Sequence, residues 1–413
     1  MAVIALHKAT QYLDNARIVK PELVAEQKVV VVFWIALSVL FYVYFGYPLL
    51  LALTRLLRKP EKSEGPEEAE QIYPSVTMVI SAYNEEQVIE SKLSNALAID
   101  YPEDKFSVLV VSDCSDDQTD QIVNGFDSDK VRLIRMDQRS GKSAGLNRAV
   151  EHIESELILF TDANAMFEPD SVKTMVRHFS DPHVGVVTGQ QRYANQEGDG
   201  EDATQEGLYW RYECKIKSLE SQNGNLVGGD GAIMAIRTRL YFELADDDLS
   251  DFLIPLRISM SGFRNVYEPN AFCNEEAADS YDKEFRRKVR IVNRAWRATM
   301  KSASVLNPTR FGVLSLCVWS HKVLRWVTAI WMATFIVATA SVYQEGWIYS
   351  AAALGQALFY GFALLGAVMK ERTSISLFTI PYYFCMVNIA ALKGIMEHYQ
   401  GKTYATWNTP RTA

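Results

Sequence analysis

Hydrophobic positions in this chain gather into charge-free blocks at its two ends, while its middle alternates short apolar runs with amphipathic stretches. Residues 29–53 carry no charge over a span long enough to cross a ~30 Å hydrocarbon core, and Arg55, Arg58 and Lys59 follow at once. The block predicts a transmembrane helix. It exceeds a signal-peptide core and has no small-residue cleavage site, so it reads as a retained anchor. Three more charge-free stretches, residues 326–343, 346–369 and 373–392, predict three membrane helices within residues 326–397. They are separated by Gln344-Glu345 and by Lys370-Glu-Arg372. Pro381 is expected to kink the last of them, which a membrane tolerates where neighbouring helices satisfy the freed carbonyls. Residues 306–325, with Leu316, Trp319 and Val323 beside His321, Lys322 and Arg325, read as an interfacial amphipathic helix or as a continuation of the next span. Residues 398–413 are left as a tail.

The basic residues after Leu53 and around Lys370 place both segments on the cytosolic side. The middle of the chain is then a cytosolic domain of an integral (inner or plasma) membrane protein. Residues 1–28 carry Lys8, Arg17, Lys20 and Lys28 and are read as a surface segment, so their orientation stays open. Residues 54–73 are rich in Glu around Gly65 and Pro66, a solvated tether between anchor and domain.

Residues 74–305 form the α/β zone, where strands alternate with helices as in a sheet that is at least partly parallel. Strands are predicted over residues 76–81, 106–112, 131–136 and 157–161. Helices are predicted from Asn84-Glu85 towards Ala98, from a cap at Ser115-Asp116 towards Phe126, and over residues 143–152. Polar residues recur at the strand ends: Tyr83-Asn84-Glu85, Asp113, and Asp162 with Asn164. Ligands of open α/β sheets gather outside the carboxyl ends of strands, and Mg²⁺ is usually held by one or two carboxylates plus substrate phosphates. A single strand ending on Asp is also a common helix cap; three such clusters within one domain point to a nucleotide site. Between them, Arg139-Ser-Gly-Lys142-Ser-Ala-Gly145 is a basic, glycine-flanked loop able to approach phosphate, although its spacing is not that of a Walker loop.

With 413 residues, 48% of them hydrophobic, the chain has ample material for both membrane helices and a full domain. Five scattered cysteines without metal-type spacing argue against a zinc site and fit a reducing compartment. A net charge of −8 argues against nucleic acid as a partner.

Ser81-Ala-Tyr-Asn-Glu-Glu86, Val110-Val-Ser-Asp-Cys-Ser-Asp-Asp117, Gly141-Lys-Ser-Ala-Gly-Leu-Asn147 and Thr161-Asp-Ala-Asn164, in this order, resemble the motifs of family-2 glycosyltransferases. The resemblance covers residues 74–298 and implies a GT-A fold, a Rossmann-like mixed sheet, here with transmembrane α-helices at both ends. It is similar to the bacterial cellulose, hyaluronan and poly-N-acetylglucosamine synthase group. It implies that Tyr83, Glu85 and Asp113 contact the nucleoside of a nucleotide-sugar donor, such as a UDP-sugar, and that Lys142 contacts a phosphate or the sugar. It further implies that Asp162, with Asn164, holds Mg²⁺ or Mn²⁺. Asn164 stands where the family usually has a second acid, and Cys114 where it usually has Gly.

Leu249-Ser-Asp-Phe-Leu253 resembles the family's acidic motif, with Ser250 in place of the first acid, and makes Asp251 the candidate general base of an inverting transfer. Asp246, Asp247 and Asp248 compete for that role. Gly228-Gly-Asp-Gly231 permits close backbone approach, and Asp230 is a candidate acceptor contact or simply part of a tight turn. In residues 284–291, Arg287 and Arg290 take the register of the family's Gln-x-x-Arg-Trp, which assigns them to the donor diphosphate; a basic face near anionic lipid is the plainer reading. Ile291 replaces the Trp that stacks the acceptor in processive members, so polymer synthesis and single transfer both stay open. The expected acceptor is a polysaccharide or a polyprenyl-lipid-linked sugar, beside membrane lipid. A catalytically idle scaffold is the alternative, motivated by Asn164 and Ser250. A transporter is disfavoured, because no span carries an intramembrane charge.

Overall fold

A computed structural model describes residues 21–57, 73–193, 205–275, 280–369 and 375–406. Most of the predicted surface segment, the tether from Arg58 on, Lys370 to Arg372 and the end of the tail lie outside these. The chain divides into two compact units, one holding residues up to Gly46 together with Val327 to Cys385, the other Tyr47 to Trp326 together with Met386 onward.

Among the described residues three helices are long and apolar enough to cross a membrane: Gln27–Leu56, Trp347–Met369 and Ser376–Tyr399. A fourth exists only if Thr328–Val342 counts together with the broken helix Pro308–Trp326 before it. By itself Thr328–Val342 has 15 residues, too few to span about 30 Å at 1.5 Å per residue. The first predicted span is interrupted by a π-helical turn at Tyr42–Gly46, and the last runs past its predicted end to Tyr399. In the first unit Phe33 is fully buried, packed against Phe335 and Tyr349 at ring distances of 5.1 and 4.9 Å.

The second unit is built on an eight-stranded mixed sheet: β1 Val76–Ala82, β2 Phe106–Ser112, β3 Val131–Arg135, β4 Leu157–Asp162, β5 Met166–Phe167, β6 Val184–Tyr193, β7 Met234–Arg237 and β8 Arg264–Glu275, in the order β3-β2-β1-β4-β7-β6-β8-β5. The first four are parallel. β1, β2 and β4 are near-continuous apolar runs because a parallel sheet is covered on both faces, and β1 is buried along its whole length, whereas β3 at the sheet edge carries Arg132 and Arg135 and buries no residue fully. At β7 the direction reverses, since β7 pairs antiparallel with both β4 and β6, while β6 and β8 are parallel. All four parallel strands therefore deliver their carboxyl ends to one edge, where the polar clusters sit.

Two predicted helix starts fall short. The helix after β1 begins at Ile89, and the one after β2 at Thr119. The polar residues expected to open them instead tie the two loops together. Asn84 Oδ1 accepts from Asp116 N at 3.0 Å, Glu86 Oε2 from Gln118 N at 3.0 Å, and Asp117 Oδ2 from Glu86 N at 3.1 Å. The other predicted elements of this half match closely: β1 to β4 end within a residue of their expected bounds, and a helix forms at Lys142–Val150.

Candidate active site

The strand tips bring the candidates to one cleft. Asn84 and Cys114, after β1 and β2, both adopt left-handed backbone conformations, φ 54° and 61°. The turn at Cys114 is thus one that a glycine takes without steric cost, a physical reason for the family's usual residue there. It aims Asp113 inward, where Oδ1 accepts from Ser140 N at 2.7 Å and Oδ2 from Gly141 N at 2.9 Å. Asp113 is 3% exposed, so these charge-assisted bonds fix the loop that carries Lys142. Tyr83 lies under the Arg139 guanidinium, 3.8 Å from ring centre to carbon. Glu85 is buried behind it, its amide donating to Thr119 Oγ1 at 2.8 Å. Ser81, Ala82, Val111, Asp113, Gly141, Lys142 and Gly145 line a small crevice at this rim. Gly141 has φ 90°, and a Cβ there would run into the carbonyl of Ala405, so the C-terminal segment closes directly over the loop.

Lys142 is the hinge of the arrangement. Its Nζ donates to Asp162 Oδ1 at 2.5 Å and to the Gly231 carbonyl at 3.3 Å, joining the tip of β4 to the glycine turn before β7. Burial alone would lower its pKa, but Asp162, with Asp251 and Glu275 adding, holds the ammonium above its ordinary value. On the other side of Gly231 stands Asp251. Its Oδ2 is 3.2 Å from where a Gly231 Cβ would be, and its carbonyl accepts from Gly229 N at 2.7 Å. Asp251 is in the first turn of the helix Ser250–Met260. Burial raises its pKa, Lys142 and Arg294 pull it back, and Asp230 and Asp162 raise it further. Its Oδ1 is buried with no hydrogen-bond partner.

Of the three acidic competitors, Asp247 is paired with Arg297 and Lys301 and Asp248 with Lys301, both on the helix Tyr281–Lys301, and Asp246 is exposed. Asp230 is buried, with Oδ2 3.7 Å from Lys217 Nζ and Oδ1 accepting from Ala232 N at 3.3 Å. Arg287 and Arg290 separate in role. Arg287 is held by its own helix, donating from Nε to Glu284 Oε2 at 2.6 Å and from a terminal nitrogen to Oε1 at 3.2 Å. Arg290 is kept below its ordinary pKa by burial first and then by Arg287, while Asp162, Tyr404 and Asp251 act in the opposite direction.

Three participants escaped the sequence reading. Arg294, one turn after Arg290, donates to the carbonyl of Asp247 at 3.3 Å and to that of Asp248, and is the second cation acting on Asp251. Lys92 is fully buried beneath the Asp162 turn, bonded to Thr161 Oγ1 at 3.2 Å and to the Ala165 carbonyl, and burial lowers its pKa to about 8. Its signal was available, because Lys92 falls on the stripe Ile89, Leu93, Ala96 that the helix buries. Glu275, the last residue of β8, is pushed up to about 8 by burial, with Asp162 and Asp230 adding. Among the described residues no three His, Cys, Asp or Glu side chains form a ready-made metal site. The oxygen donors of Asp162 and Asn164 still suit a hard divalent cation that keeps water and phosphate as its other ligands.

The glycosyl transferase family 2 model matches residues 77–243. A poly-beta-1,6-N-acetyl-D-glucosamine synthase of Staphylococcus aureus is 24% identical over 285 residues, which span 66% of this chain and 66% of that one. The synthase of the same description from Staphylococcus epidermidis is 22% identical over 282 residues, 65% of this chain and 66% of its own length. The match thus spans just under two thirds of these relatives. Among solved structures, the mannosyltransferase PcManGT from Pyrobaculum calidifontis, in complex with GDP-Man and Mn²⁺, superposes with a TM-score of 0.66 over 90% of this chain and 99% of its own, at 23% identity. The match to the glycosyl transferase family 2 model over residues 77–243 thus falls on a mixed sheet of GT-A-like fold, in a chain similar to polysaccharide synthases.

Proposed function

We propose that this chain is a membrane-embedded inverting glycosyltransferase that moves a sugar from a nucleotide donor to a polysaccharide or lipid-linked acceptor at the cytosolic face. The observation that carries this reading is the bridge made by Lys142, which holds Asp162 with one bond and the Gly231 turn facing Asp251 with another. A donor-binding group and a candidate base are thereby kept one side chain apart.

In this reading the nucleoside lies at Tyr83, Glu85 and Asp113, and the diphosphate at Lys142, Asp162 and Arg290. Asp251 accepts the proton of the acceptor hydroxyl as that oxygen attacks the anomeric carbon from the face opposite the leaving diphosphate. Its unpartnered Oδ1 is the atom free to do so. Lys142 and Arg290 stabilise the negative charge that develops on the leaving group. A divalent cation, present beside GDP-Man in the PcManGT complex, would neutralise diphosphate charge when bound here. UDP-N-acetylglucosamine is the first donor to try, given the named activity of the staphylococcal relatives.

The test is transfer itself. Full-length protein in lipid nanodiscs is incubated with labelled UDP- and GDP-sugars and a membrane lipid extract, and the products are sized. A ladder indicates a polymer and a single shifted lipid a single transfer; either supports the reading. Neither transfer nor donor hydrolysis with any sugar overturns it in favour of an idle scaffold.

A further inference from the structure

The Asp162-Ala163-Asn164 turn offers a cation one carboxylate and one neutral amide. The strand that follows it points to where a second carboxylate stands. In β5, Met166 and Phe167 pair antiparallel with Asn274 and Cys273 of β8. Continuing that register sets Glu275 across from Ala165, the residue directly after Asn164. As the last residue of β8, beside the start of β5, Glu275 stands at the same end of the sheet as the turn, where the charges of Asp162 and then Asp230 act on it.

One of its oxygens is committed: Oε2 accepts from Gln191 Nε2 at 2.5 Å. The other, Oε1, is buried and has no hydrogen-bond partner. A buried carboxylate oxygen without a partner is costly, and such an atom in a native fold calls for a ligand or a functional role. Asp162 has a matching opening. Lys142 takes its Oδ1, yet its side chain remains 40% exposed. Beneath both lies the buried ammonium of Lys92, bonded to Thr161 Oγ1 and to the Ala165 carbonyl. That fixed positive charge lowers the cost of holding two carboxylates side by side in the ionised state. Hard oxygen ligands from two side chains, with the remaining positions left to water and phosphate, are the usual way of holding Mg²⁺ and suit Mn²⁺ as well.

We propose that Glu275 is the second carboxylate of the divalent-cation site, acting with Asp162 in place of the acid that Asn164 lacks. The proposal rests on the reading that the chain binds a nucleotide sugar with a divalent cation.

The test measures Mn²⁺ binding directly, by the loss of the free-ion electron paramagnetic resonance signal, on full-length protein in nanodiscs with UDP or GDP present. Glu275→Gln keeps the shape and the bond to Gln191, and is expected to weaken Mn²⁺ binding by at least about tenfold, since even outer-shell partners of a metal ligand have effects of that size. Metal-free nucleotide affinity and melting temperature should stay near wild type. Adding Asn164→Asp to Glu275→Gln should restore most of the lost affinity. A second arm does not depend on the Glu275 variant folding. Asn164→Asp alone should tighten Mn²⁺ binding less than about threefold if Glu275 already supplies a carboxylate, whereas a gain of about tenfold or more would show that the position was empty and overturn the proposal. Unchanged Mn²⁺ binding in Glu275→Gln overturns it too, as does wild type that binds nucleotide but no Mn²⁺. Wild type that binds no nucleotide at all would instead sink the functional reading beneath it.

Discussion

The rim of the cleft and its floor are built from the same residue types and treat them in opposite ways. At the rim, between the tips of β1 and β2, four side chains are taken up by backbone: both oxygens of Asp113 accept amide hydrogens, and Asn84, Glu86 and Asp117 each accept one from the neighbouring loop. On the floor, Asp251 and Glu275 each keep a buried oxygen with no partner. The rim spends its carboxylates on shape, and the floor leaves a buried carboxylate oxygen uncommitted on each of Asp251 and Glu275. Changes at the rim should therefore appear first as lost stability or donor binding, and changes on the floor as lost turnover with binding kept.

The largest effect is expected from Asp251→Asn, which removes the base without altering volume. Transfer should fall by about 10²–10⁴-fold while nucleotide affinity, followed by calorimetry, stays within about threefold. Arg290→Ala should cost about 10²–10³ in kcat/KM, the range seen when one group stabilising a developing charge is removed. Arg287→Ala, whose guanidinium is already engaged by Glu284, should cost far less, and equal losses for the two would break the distinction between them.

The pH profile sharpens the contrast further. Burial raises the Asp251 pKa, and the base works only when ionised, so kcat/KM should fall on the acid side at a pH above that of an ordinary carboxylate, near 4. Asp251→Asn should remove that limb from whatever activity remains; a limb that persists would assign it to another group.

At the rim, Asp113→Asn replaces charge-assisted acceptors by one neutral oxygen and a mismatched NH₂, and should lower stability by about 1.5–3 kcal/mol, read as a drop in melting temperature reversed in part by nucleotide. The smallest expected change is at Cys114. Replacing it with Gly relieves a left-handed backbone conformation at about 1–2 kcal/mol and returns some of this as unfolded-state entropy, so a small rise in melting temperature with unchanged activity is predicted.

The rim was also the more legible part in sequence. β1, β2 and β4 announce themselves because strands covered on both faces read as unbroken apolar runs, and the polar residues after them mark the ligand edge. Helix starts were misplaced by four residues or so because a polar residue before a helix looks the same whether it caps the helix or ties a neighbouring loop. The floor was harder to see. Asp251 carries a motif that makes it a candidate, but Glu275 and Arg294 arrive from β8 and from the helix Tyr281–Lys301, long after the motifs that line the strand tips. Nothing local marks Glu275, since its meaning comes from the register of β8 against the two-residue strand β5. In the second half the interfacial segment proved to be a helix kinked at Gly312 (φ 51°, ψ −121°) and wound as a π-helical turn at Val318–Val323, features that hydrophobic periodicity does not encode.

The most direct test of the central claim is a density map of the full-length protein in nanodiscs with a nucleoside diphosphate and Mn²⁺. The account predicts the base beside Tyr83, the diphosphate between Lys142 and Arg290, and the cation at Asp162, with Asp251 facing the open side of the terminal phosphate. Nucleotide density on any other surface, with the cleft between Asp113 and Asp251 unchanged, would contradict it.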